Sequence, residues 1–315
     1  MSIAFPIRRM DNSEPARAVA IAILSWNQRD TTLQCLRSLV KADYPPSQIV
    51  VWDNGSTDGT DAAVAREFPA AIFCRSEENL GVASGRNAAA TLANDTLHSD
   101  HILFLDNDMK VTRGFLEALL EPFKNEKKLA QTTAKILTMD DTNRINAAGG
   151  SVVNFASGTI VPVGYGEPDT GQFDTTRKCL PGGGGTMVRM DVFSTLSGFD
   201  PIFDPYGPED LDFSFRVQEA GYYGRYVPEA VIYHDHHRSV SNGKFDETYA
   251  RNKLQHWMIL LRRHATPSQK VGFFLFGGPI GAVRIAFREL SRRNPGAIKG
   301  LLSGIWRYCA GRFSR

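Results

Sequence analysis

The chain has 315 residues, of which 42% are hydrophobic and 22% are charged, and its formal net charge is +2. This composition is typical of a globular protein and excludes wholesale disorder. The small net charge argues against nucleic acid as the main partner. The four cysteines lie far apart without a Cys-x-x-Cys pair. This spacing suits a reduced, cytoplasmic protein better than a disulfide scaffold or a zinc ribbon.

The first part of the chain alternates between strand and helix patterns. Residues 1–18 carry charges and no sustained apolar core, which predicts an N-terminal extension rather than a signal peptide. Hydrophobic periodicity then predicts strands over 19–26, 49–52, 71–74 and 101–105, and helices over 31–41, 58–67 and 83–94. Such alternation implies an α/β fold with a Rossmann-like, mostly parallel sheet flanked by helices. Ligands bind such sheets at the carboxyl ends of the strands.

The second part of the chain is more mixed. Short strands are predicted over 151–155 and 159–163, a helix over 210–220 and a last strand over 230–233, and four consecutive glycines occupy 182–185. From residue 244 onward the chain is expected to be helical and basic. Residues 265–315 contain nine Lys or Arg side chains and a single acid, Glu289.

An apolar stretch in this basic tail raises the question of a membrane. Val271–Val283 has thirteen residues interrupted by glycines and a proline, whereas a spanning helix needs about 20. No transmembrane helix is therefore predicted. The aromatic run 273–276, flanked by Lys270, Arg284 and Arg288, fits two interpretations. It can lie on an anionic membrane surface, or it can pack against the rest of the chain and leave a basic outer face.

Asp106-Asn107-Asp108 directly follows the predicted strand 101–105. Side chains at positions i and i+2 of a strand share a face, so the two carboxylates are expected to lie together. They repel one another unless a cation is nearby, and Mg²⁺ or Mn²⁺ prefers oxygen ligands that it shares with substrate phosphates. The triplet therefore indicates either a metal–diphosphate site or an ordinary turn at the end of a strand.

Two further polar positions follow strands in the first half. Asp53 at the end of the second strand can accept a hydrogen bond from a nucleobase N–H, or it can cap its own turn. Arg86 follows Asn79 at the entry of an alanine-rich helix, where it can bind a phosphate or form a surface salt bridge. Both interpretations stay open for each residue.

Acids and histidines mark the second half. Glu209 and Asp210 open a predicted helix, where a carboxylate is rigidly placed to act as a general base, although acids are common in any first helical turn. His234 begins the run His-Asp-His-His at 234–237. One imidazole can complete a metal site, but neighbouring side chains on a strand point to opposite faces, so at most one or two can bind.

Taken together and in this order, these segments resemble the family 2 glycosyltransferases, which have the GT-A fold. The resemblance covers roughly residues 19–241 and is nearest to the rhamnosyltransferase-like branch. The matching segments are Ile23–Asn27, Trp52–Asp58, Asn79–Asn87, Phe104–Asp108, Gly198–Asp200, Glu209–Asp212 with Arg216, and Tyr233–His234. Asn54 departs from the pattern, because many members have a second Asp there.

The resemblance implies a role for each matching side chain. Asp53 would read the base of a nucleoside diphosphate sugar, Asp108 would bind the metal, and Asp106 would lie near both the ribose and the metal. Asp210 would be the catalytic base with Glu209 beside it, and His234 would complete the metal site. The side chains expected to bind the donor are Ser25, Asn27, Asp53, Asn79, Arg86, Asp106 and Asn107.

The implied protein is an inverting glycosyltransferase that uses Mn²⁺ or Mg²⁺. It would move a sugar from a UDP- or dTDP-linked donor to a hydroxyl of a glycan or lipid-linked acceptor in cell-surface polysaccharide synthesis. We expect residues 19–243 to be catalytic, with a nucleotide-binding half (19–108) and an acceptor-binding half (109–243), and residues 244–315 to be a helical extension. The expected location is the cytoplasm, with peripheral contact at the inner face of the membrane.

Two alternatives remain at this point. One is a catalytically silent protein of the same fold that binds sugar nucleotides or glycans. The other is a sugar-nucleotide nucleotidyltransferase, which is disfavoured because Ser25–Gln28 offers no glycine-rich loop with Arg and Lys near the first strand.

Overall fold

A computed structural model describes residues 19–235 and 246–311. The predicted N-terminal extension, His236, His237 and the last four residues lie outside the described ranges. The strands are β1 (Val19–Ser25), β2 (Ile49–Asp53), β3 (Ile72–Arg75), β4 (His101–Asp106), β5 (Met109–Val111), β6 (Leu129–Thr138), β7 (Ile145–Ala148), β8 (Ser151–Asn154), β9 (Thr159–Pro162), β10 (Arg177–Cys179), β11 (Thr186–Arg189) and β12 (Tyr223–His234).

Helices cover the sheet and continue beyond it. They are α1 (Arg29–Lys41), α2 (Thr60–Glu67), α3 (Val82–Leu97), α4 (Phe115–Leu120), α5 (Met190–Thr195), α6 (Glu209–Glu219), α7 (Glu247–His264), α8 (Pro267–Gly272), α9 (Gly278–Ser291) and α10 (Pro295–Cys309). Short 3₁₀ turns occupy Pro46–Gln48, Glu121–Lys124 and Pro201–Phe203, and a π-helical turn, Phe273–Gly277, joins α8 to α9.

The main sheet has the order β10-β12-β6-β11-β4-β1-β2-β3, with β5 beside β12 and β7 beside β6. Strands β3, β2, β1 and β4 are mutually parallel, as are β6 and β12, whereas β11 runs antiparallel between β4 and β6. The strands β8 and β9 form a separate antiparallel hairpin. The predicted α/β fold with a mostly parallel sheet is therefore confirmed, and the antiparallel members are confined to the second half.

The alternation of side chains along β1 explains how the sheet is covered on both faces. Ile21 and Ile23 point into a core shared with α1, α2 and α4. Ala20 and Ala22 point to the opposite face, where the alanines of α3 pack against them. Since small residues meet on that side, α3 can approach the sheet closely, which brings its first turn to the carboxyl ends of β1 and β4.

The sequence prediction missed several strands of the second half, namely β5, β6, β7, β10 and β11, and began β12 too late. The central strand β6 was missed because half of its ten residues are polar. Its polar side chains are buried with partners: the Thr132 hydroxyl donates to the Leu119 carbonyl at 2.9 Å and Lys135 reaches Asp169 at 2.9 Å. Strand β12 begins at Tyr223, before Pro228, rather than at residue 230. A register shift between 227 and 231 bulges the strand at the proline, which cannot donate to the ladder.

The C-terminal helices also differ from expectation. Helix α8, the π turn and α9 form one continuous helix over Pro267–Ser291, and its 25 residues would suffice by length and composition to cross a membrane. The prediction of a short, broken segment is therefore wrong as to length. Proline lacks the backbone N–H that continues a helix, and here a π turn lies directly ahead of Pro279, where the hydrogen-bond ladder shifts to accommodate it.

Candidate active site

One cavity of about 1730 Å³ opens at the carboxyl ends of β1 and β4. The start of α6 and the four-glycine run close its far side. Of the side chains expected from the sequence, it brings together Ser25, Asn79, Arg86, Asp106, Asn107, Asp108, Asp210 and His234. Asn27, Asp53 and Glu209 are not among its lining residues; Asp53 and Glu209 are buried, whereas Asn27 is exposed.

Asp106 ends β4 and is held on both of its oxygens. Arg86 donates to one oxygen at 2.7 Å, and the backbone N–H of Gly184 donates to the other at 3.2 Å. Burial raises the pKa of Asp106, but Arg86 and His234 outweigh it, so the pKa lies below its usual value. Asp106 is therefore an ionised anchor between the first half of the sheet and the glycine run.

Arg86 is neither a surface salt bridge nor turned toward open solvent. It is buried at the entry of α3, and its second nitrogen donates to Glu209 at 2.9 Å. The other oxygen of Glu209 is buried without a hydrogen-bond partner. Burial and the neighbouring charge of Asp210 raise the pKa of Glu209 to about 8. Arg86 thus ties the end of β4 to the start of α6 through two carboxylates.

Asp210 stands one residue into α6 and faces the glycine run. One carboxylate oxygen accepts from the Gly183 N–H, and the other accepts from its own neighbour, the Leu211 N–H, at 2.7 Å. Burial raises the pKa of Asp210 despite the opposing charge of Arg86. A partly buried carboxylate of raised pKa at the wall of a cleft has the character of a general acid or base.

The unusually bare glycine run has a steric explanation. An added Cβ would come within 3.1 Å of an Asp210 oxygen at Gly182 and within 2.7 Å of the Asp106 carboxylate carbon at Gly184. Gly183 itself has a φ of +73°, which side chains rarely adopt. The backbone at 182–184 therefore touches both acids directly, and larger residues would push them apart.

Asp108 and His234 face each other where β5 meets β12. The Asp108 carboxylate lies 3.3 Å from the Nε2 atom of His234, and the Asp235 N–H donates to the Asp108 carbonyl at 2.9 Å. Burial lowers the pKa of His234, but contact with the Asp108 carboxylate raises it by more, so the pKa lies above its usual value. The Asn146 side chain lies 3.3 Å from the other ring nitrogen.

This pair fits a divalent cation. Two cis ligands of an octahedral ion, each about 2.1 Å from it, lie about 3 Å apart, which is close to the observed separation. The Asp108 oxygen concerned is buried and accepts no hydrogen bond. Across residues 19–235 and 246–311, no group of three or more His, Cys, Asp or Glu side chains forms a complete metal site. The remaining ligands would then come from donor phosphates and water.

Asp53 caps its own turn with one carboxylate oxygen, and its other oxygen makes no hydrogen bond. Its first oxygen accepts from the backbone N–H of Ser56 at 3.0 Å. Its second is buried without a hydrogen bond, and the nearest cation, Arg75, lies 3.9 Å away. Asn27 bridges to the same loop, because its side chain accepts from the Thr57 N–H at 2.7 Å. These contacts fix the loop after β2 against the end of β1.

The remaining expected donor-binding residues hold neighbouring elements in place. The Asn107 amide donates to Thr32 at 3.0 Å and to Gln28 at 3.1 Å, while the Ser25 hydroxyl pairs with Thr32 at 2.8 Å. Asn79 accepts from the Gly81 N–H at 2.9 Å. Ser25, Asn79 and Asn107 also line the cavity.

Sequence reasoning missed the wall of the cavity formed by α7. Tyr249 stacks on Tyr206 with ring centroids 5.0 Å apart, and Lys253 and Trp257 follow on the same face of the helix. Buried His256 contacts the Tyr206 carbonyl at 3.0 Å. The signal was present as polar and aromatic residues at spacings of four along α7, but nothing in the sequence placed that face against the cleft.

Comparison with known proteins identifies the family of the chain. The family model described as Glycosyl transferase family 2 matches residues 20–193. An N-acetylglucosaminyl-diphospho-decaprenol L-rhamnosyltransferase of Mycobacterium tuberculosis is 24% identical over 255 residues, or 73% of this chain and 80% of that protein. The O-antigen chain rhamnosyltransferase WbaN of Salmonella anatum is 26% identical over 197 residues, or 62% of this chain and 59% of that protein.

Two solved structures share the fold. GalNAc-T7 with UDP, GalNAc and Mn²⁺ has a TM-score of 0.57 at 18% identity, covering 70% of this chain and 43% of that one. The mannosyltransferase PcManGT from Pyrobaculum calidifontis, in complex with GDP-Man and Mn²⁺, has a TM-score of 0.53 at 17% identity, covering 93% and 75%. Both are GT-A glycosyltransferases, and both hold a nucleotide with Mn²⁺.

Proposed function

The chain belongs to glycosyl transferase family 2, and on that premise we propose that it is an inverting, metal-dependent transferase that moves a sugar, with rhamnose the first candidate, to a lipid-linked glycan. The expected enzyme class is confirmed by the family match and the rhamnosyltransferase relatives. The donor, the metal dependence and the acceptor are the proposed part. A UDP- or dTDP-linked sugar is the proposed donor.

The observation that carries the proposal is Asp210. It lies in the same cleft as Asp108 and His234, its orientation is fixed by the Gly183 N–H, and its pKa is raised. In the proposed reaction this carboxylate takes the proton of the acceptor hydroxyl as the oxygen attacks the anomeric carbon. The bond from that carbon to the diphosphate breaks on the opposite face, so the centre inverts in a single displacement.

Asp108 and His234 are the proposed metal ligands, and Asp106 supports them from the end of β4. When bound, a divalent ion supplies charge neutralisation for the departing diphosphate. The protein's own part is to hold the acids apart and in register. Arg86 does this by engaging Asp106 and Glu209 at once. Glu209 is therefore proposed to orient Arg86 and α6 rather than to touch the sugar.

The division into halves follows from the same cleft. We propose that residues 19–108 bind the nucleotide through Asp53, Asn79 and their loops, and that residues 109–243 bind the acceptor. Asp53 is buried and does not line the cavity, so its second oxygen, which makes no hydrogen bond, could accept from the imide N–H of uracil or thymine only if the loop after β2 opens. Residues 244–315 form the proposed helical extension.

We also propose a cytoplasmic location with peripheral contact at the inner face of the membrane. The outer side of the tail supports this, because Leu275 and Phe276 are 63% and 65% exposed and Lys270 and Arg284 lie nearby in the chain. Apolar side chains flanked by cations bind anionic lipid surfaces through both burial and charge.

A donor panel tests the proposal. The full chain is mixed with UDP- and dTDP-linked sugars, with Mn²⁺, Mg²⁺ or a chelator, and thermal stabilisation is measured before transfer to a lipid-linked sugar diphosphate. Stabilisation by one donor only with metal, followed by transfer with inverted configuration, supports it. Stabilisation without any transfer or donor hydrolysis would favour a silent binding protein. Retention of configuration would contradict the single displacement.

A further inference from the structure

Part of the cavity lies away from the catalytic acids and is apolar. It runs from Asp210 past α7 to the C-terminal helices α9 and α10. We call this part the groove; its walls are Trp257, Phe274, Ala282, Ile285, Leu301 and Ile305. The whole cavity is well above the roughly 300–1,000 Å³ that holds one small ligand, so the donor alone does not account for it.

Close backbone contacts fix the walls of the groove. Helix α10 packs on α7 through Gly300 and Gly304, where an added Cβ would meet the carbonyl oxygens of Glu247 and Arg251 at 2.1 and 2.7 Å. On the opposite side, Gly277 lies against the β8–β9 turn, with an added Cβ 2.1 Å from the Ala156 carbonyl oxygen. Glycines at such crossings let backbones touch. The space between the helices is therefore set by tight contacts on both sides.

Helix α9 has two distinct apolar faces. Ala282 and Ile285 face the groove. Val283 and Phe287, which are 70% and 77% exposed, are not among the cavity-lining residues and form its outer face. The groove is thus separate from the surface that would lie on a membrane, and a bilayer meeting the outer face would leave the groove free.

We propose that the groove holds the hydrocarbon chain of the acceptor, a long isoprenoid joined to the acceptor sugar through a diphosphate. The inference rests on the proposed transfer to a lipid-linked sugar and names the site for its lipid. Continuity carries it, since Asp210 and the apolar walls of the groove line the same cavity, so a sugar whose hydroxyl reaches Asp210 can extend its attached chain into the groove.

Charge at the junction agrees with that occupant. Lys253 is exposed on α7 and lines the same cavity as Asp210 and the groove, and its Nζ atom lies 5.6 Å from the centre of the Tyr249 ring. An ammonium at this place can pair with the diphosphate that separates the sugar from its chain. The cavity thus contains carboxylates, aromatic and cationic side chains of α7, and apolar walls, which are the groups that an acceptor hydroxyl, a sugar diphosphate and a hydrocarbon chain would contact.

A binding experiment without transfer tests the groove. Farnesyl diphosphate and dimethylallyl diphosphate share a head group and differ by ten carbons of isoprenoid. Their affinities for the full chain are measured by equilibrium dialysis in the presence of a chelator and below any micelle concentration. We expect the longer probe to bind at least about tenfold more tightly, because it buries more apolar surface.

Two variants fill the groove and one serves as a matched control. Gly281→Phe adds a ring where a Cβ meets nothing within 4 Å, and Ala282→Phe does the same from an exposed neighbour, so both are expected to fold with unchanged melting. Each should remove the tenfold preference for the long probe. Phe287→Ser on the outer face of the same helix should keep it.

Four results would overturn the proposal. They are equal affinity for the two probes, a preference that survives both groove-filling variants, a preference lost in Phe287→Ser, and a concentration-dependent dimer that the groove-filling variants dissociate. Failure of the transfer reaction is a separate matter. If the wild type transfers no sugar but keeps the chain-length preference, the groove stands and the function fails. If transfer to a lipid-linked acceptor is equal in Gly281→Phe, the function stands and the groove fails.

Discussion

The sheet and the C-terminal helices treat apolar side chains in opposite ways. In β1, Ile21 and Ile23 are completely buried. Along α9, Val283 and Phe287 face solvent and the nearby cations lie among them. Complete burial of apolar side chains stabilises the fold of the sheet by itself. Apolar side chains exposed together on one face of a helix instead mark a surface that contacts a partner or a membrane.

From this difference we expect the sheet to hold the reacting groups and the C-terminal helices to bind the protein to a surface in the cell. The sheet positions Asp106, Asp108 and Asp210 by backbone and by buried pairs, which demands a rigid frame. The tail contacts the β8–β9 turn through Gly272 and Gly277, and its large side chains Val283 and Phe287 are exposed. Substitutions in the sheet should therefore alter turnover, metal use or stability, and substitutions in the tail should alter contact with lipid.

The largest effect is expected at Asp210. Asp210→Asn removes the proposed proton acceptor but keeps the shape and the hydrogen bond from Gly183, so kcat should fall by about 10³ with donor affinity nearly unchanged. Single-turnover transfer and donor binding measure the two parts. Asp191→Asn, at an exposed acid in the first turn of α5, is the control. Retained turnover in Asp210→Asn would remove the base assignment.

Substitution of Arg86 tests whether the stability of the sheet domain depends on its buried ion pairs. Arg86→Gln leaves Asp106 without its cation and is expected to lower the free energy of unfolding by about 3 kcal/mol. Arg37 forms an exposed pair with Glu67 at 2.5 Å, and Arg37→Gln should cost less than about 1 kcal/mol. Urea unfolding of both variants measures the difference. Similar losses would mean that the Arg86 bridge adds little.

Asp108 separates the metal from the rest of the cleft. Asp108→Ala should weaken donor binding by at least about tenfold when Mn²⁺ is present and change it little in chelator, because ligands matter only when the ion is bound. Titration calorimetry in both buffers measures this. Asp95→Ala, at an exposed acid in the last turn of α3, is the control. Equal affinity with metal would take Asp108 out of the metal site.

The raised pKa of Glu209 is expected to make the free energy of unfolding depend on pH. Its folded pKa of about 8 exceeds its ordinary value of 4.5, so between these values the unfolded chain releases a proton that the folded chain keeps. Stability from this group is thus full below pH 4.5 and declines as pH rises toward 8. Glu209→Gln should flatten that decline relative to the wild type in metal-free urea titrations. Parallel curves would contradict the raised pKa.

The tail provides the smallest expected effect. The double substitution of Phe276 and Phe287 by Ser should reduce flotation with anionic vesicles severalfold, and transfer to a short, soluble acceptor should be unchanged. Val40→Ser on α1, an exposed apolar residue of the sheet domain, should float like the wild type. Unchanged flotation of the double variant would contradict the assignment of lipid contact to the C-terminal helices.

The sequence by itself determined the first half of the fold and the identity of the polar residues. Apolar runs such as that of β4 and the spacing along α1 follow directly from side-chain periodicity, and Asp106 and Asp210 could be singled out because strand ends and helix starts are local features. Strand β6 and the first part of β12 could not be found in this way. The buried threonine and lysine of β6 find partners elsewhere in the chain, and β12 tolerates a proline at a bulge.

Only the tertiary structure decided how those residues work together. Arg86 lies between acids 20 and 123 positions away, and the bare glycine run acquires its purpose only when the two acids that it touches are in place. Likewise, α9 shows one apolar pattern in sequence but two faces in the fold. Local sequence patterns indicate which secondary structure a segment forms. Contacts between distant segments decide which side chains are buried together, and those neighbours set the protonation and orientation of each side chain.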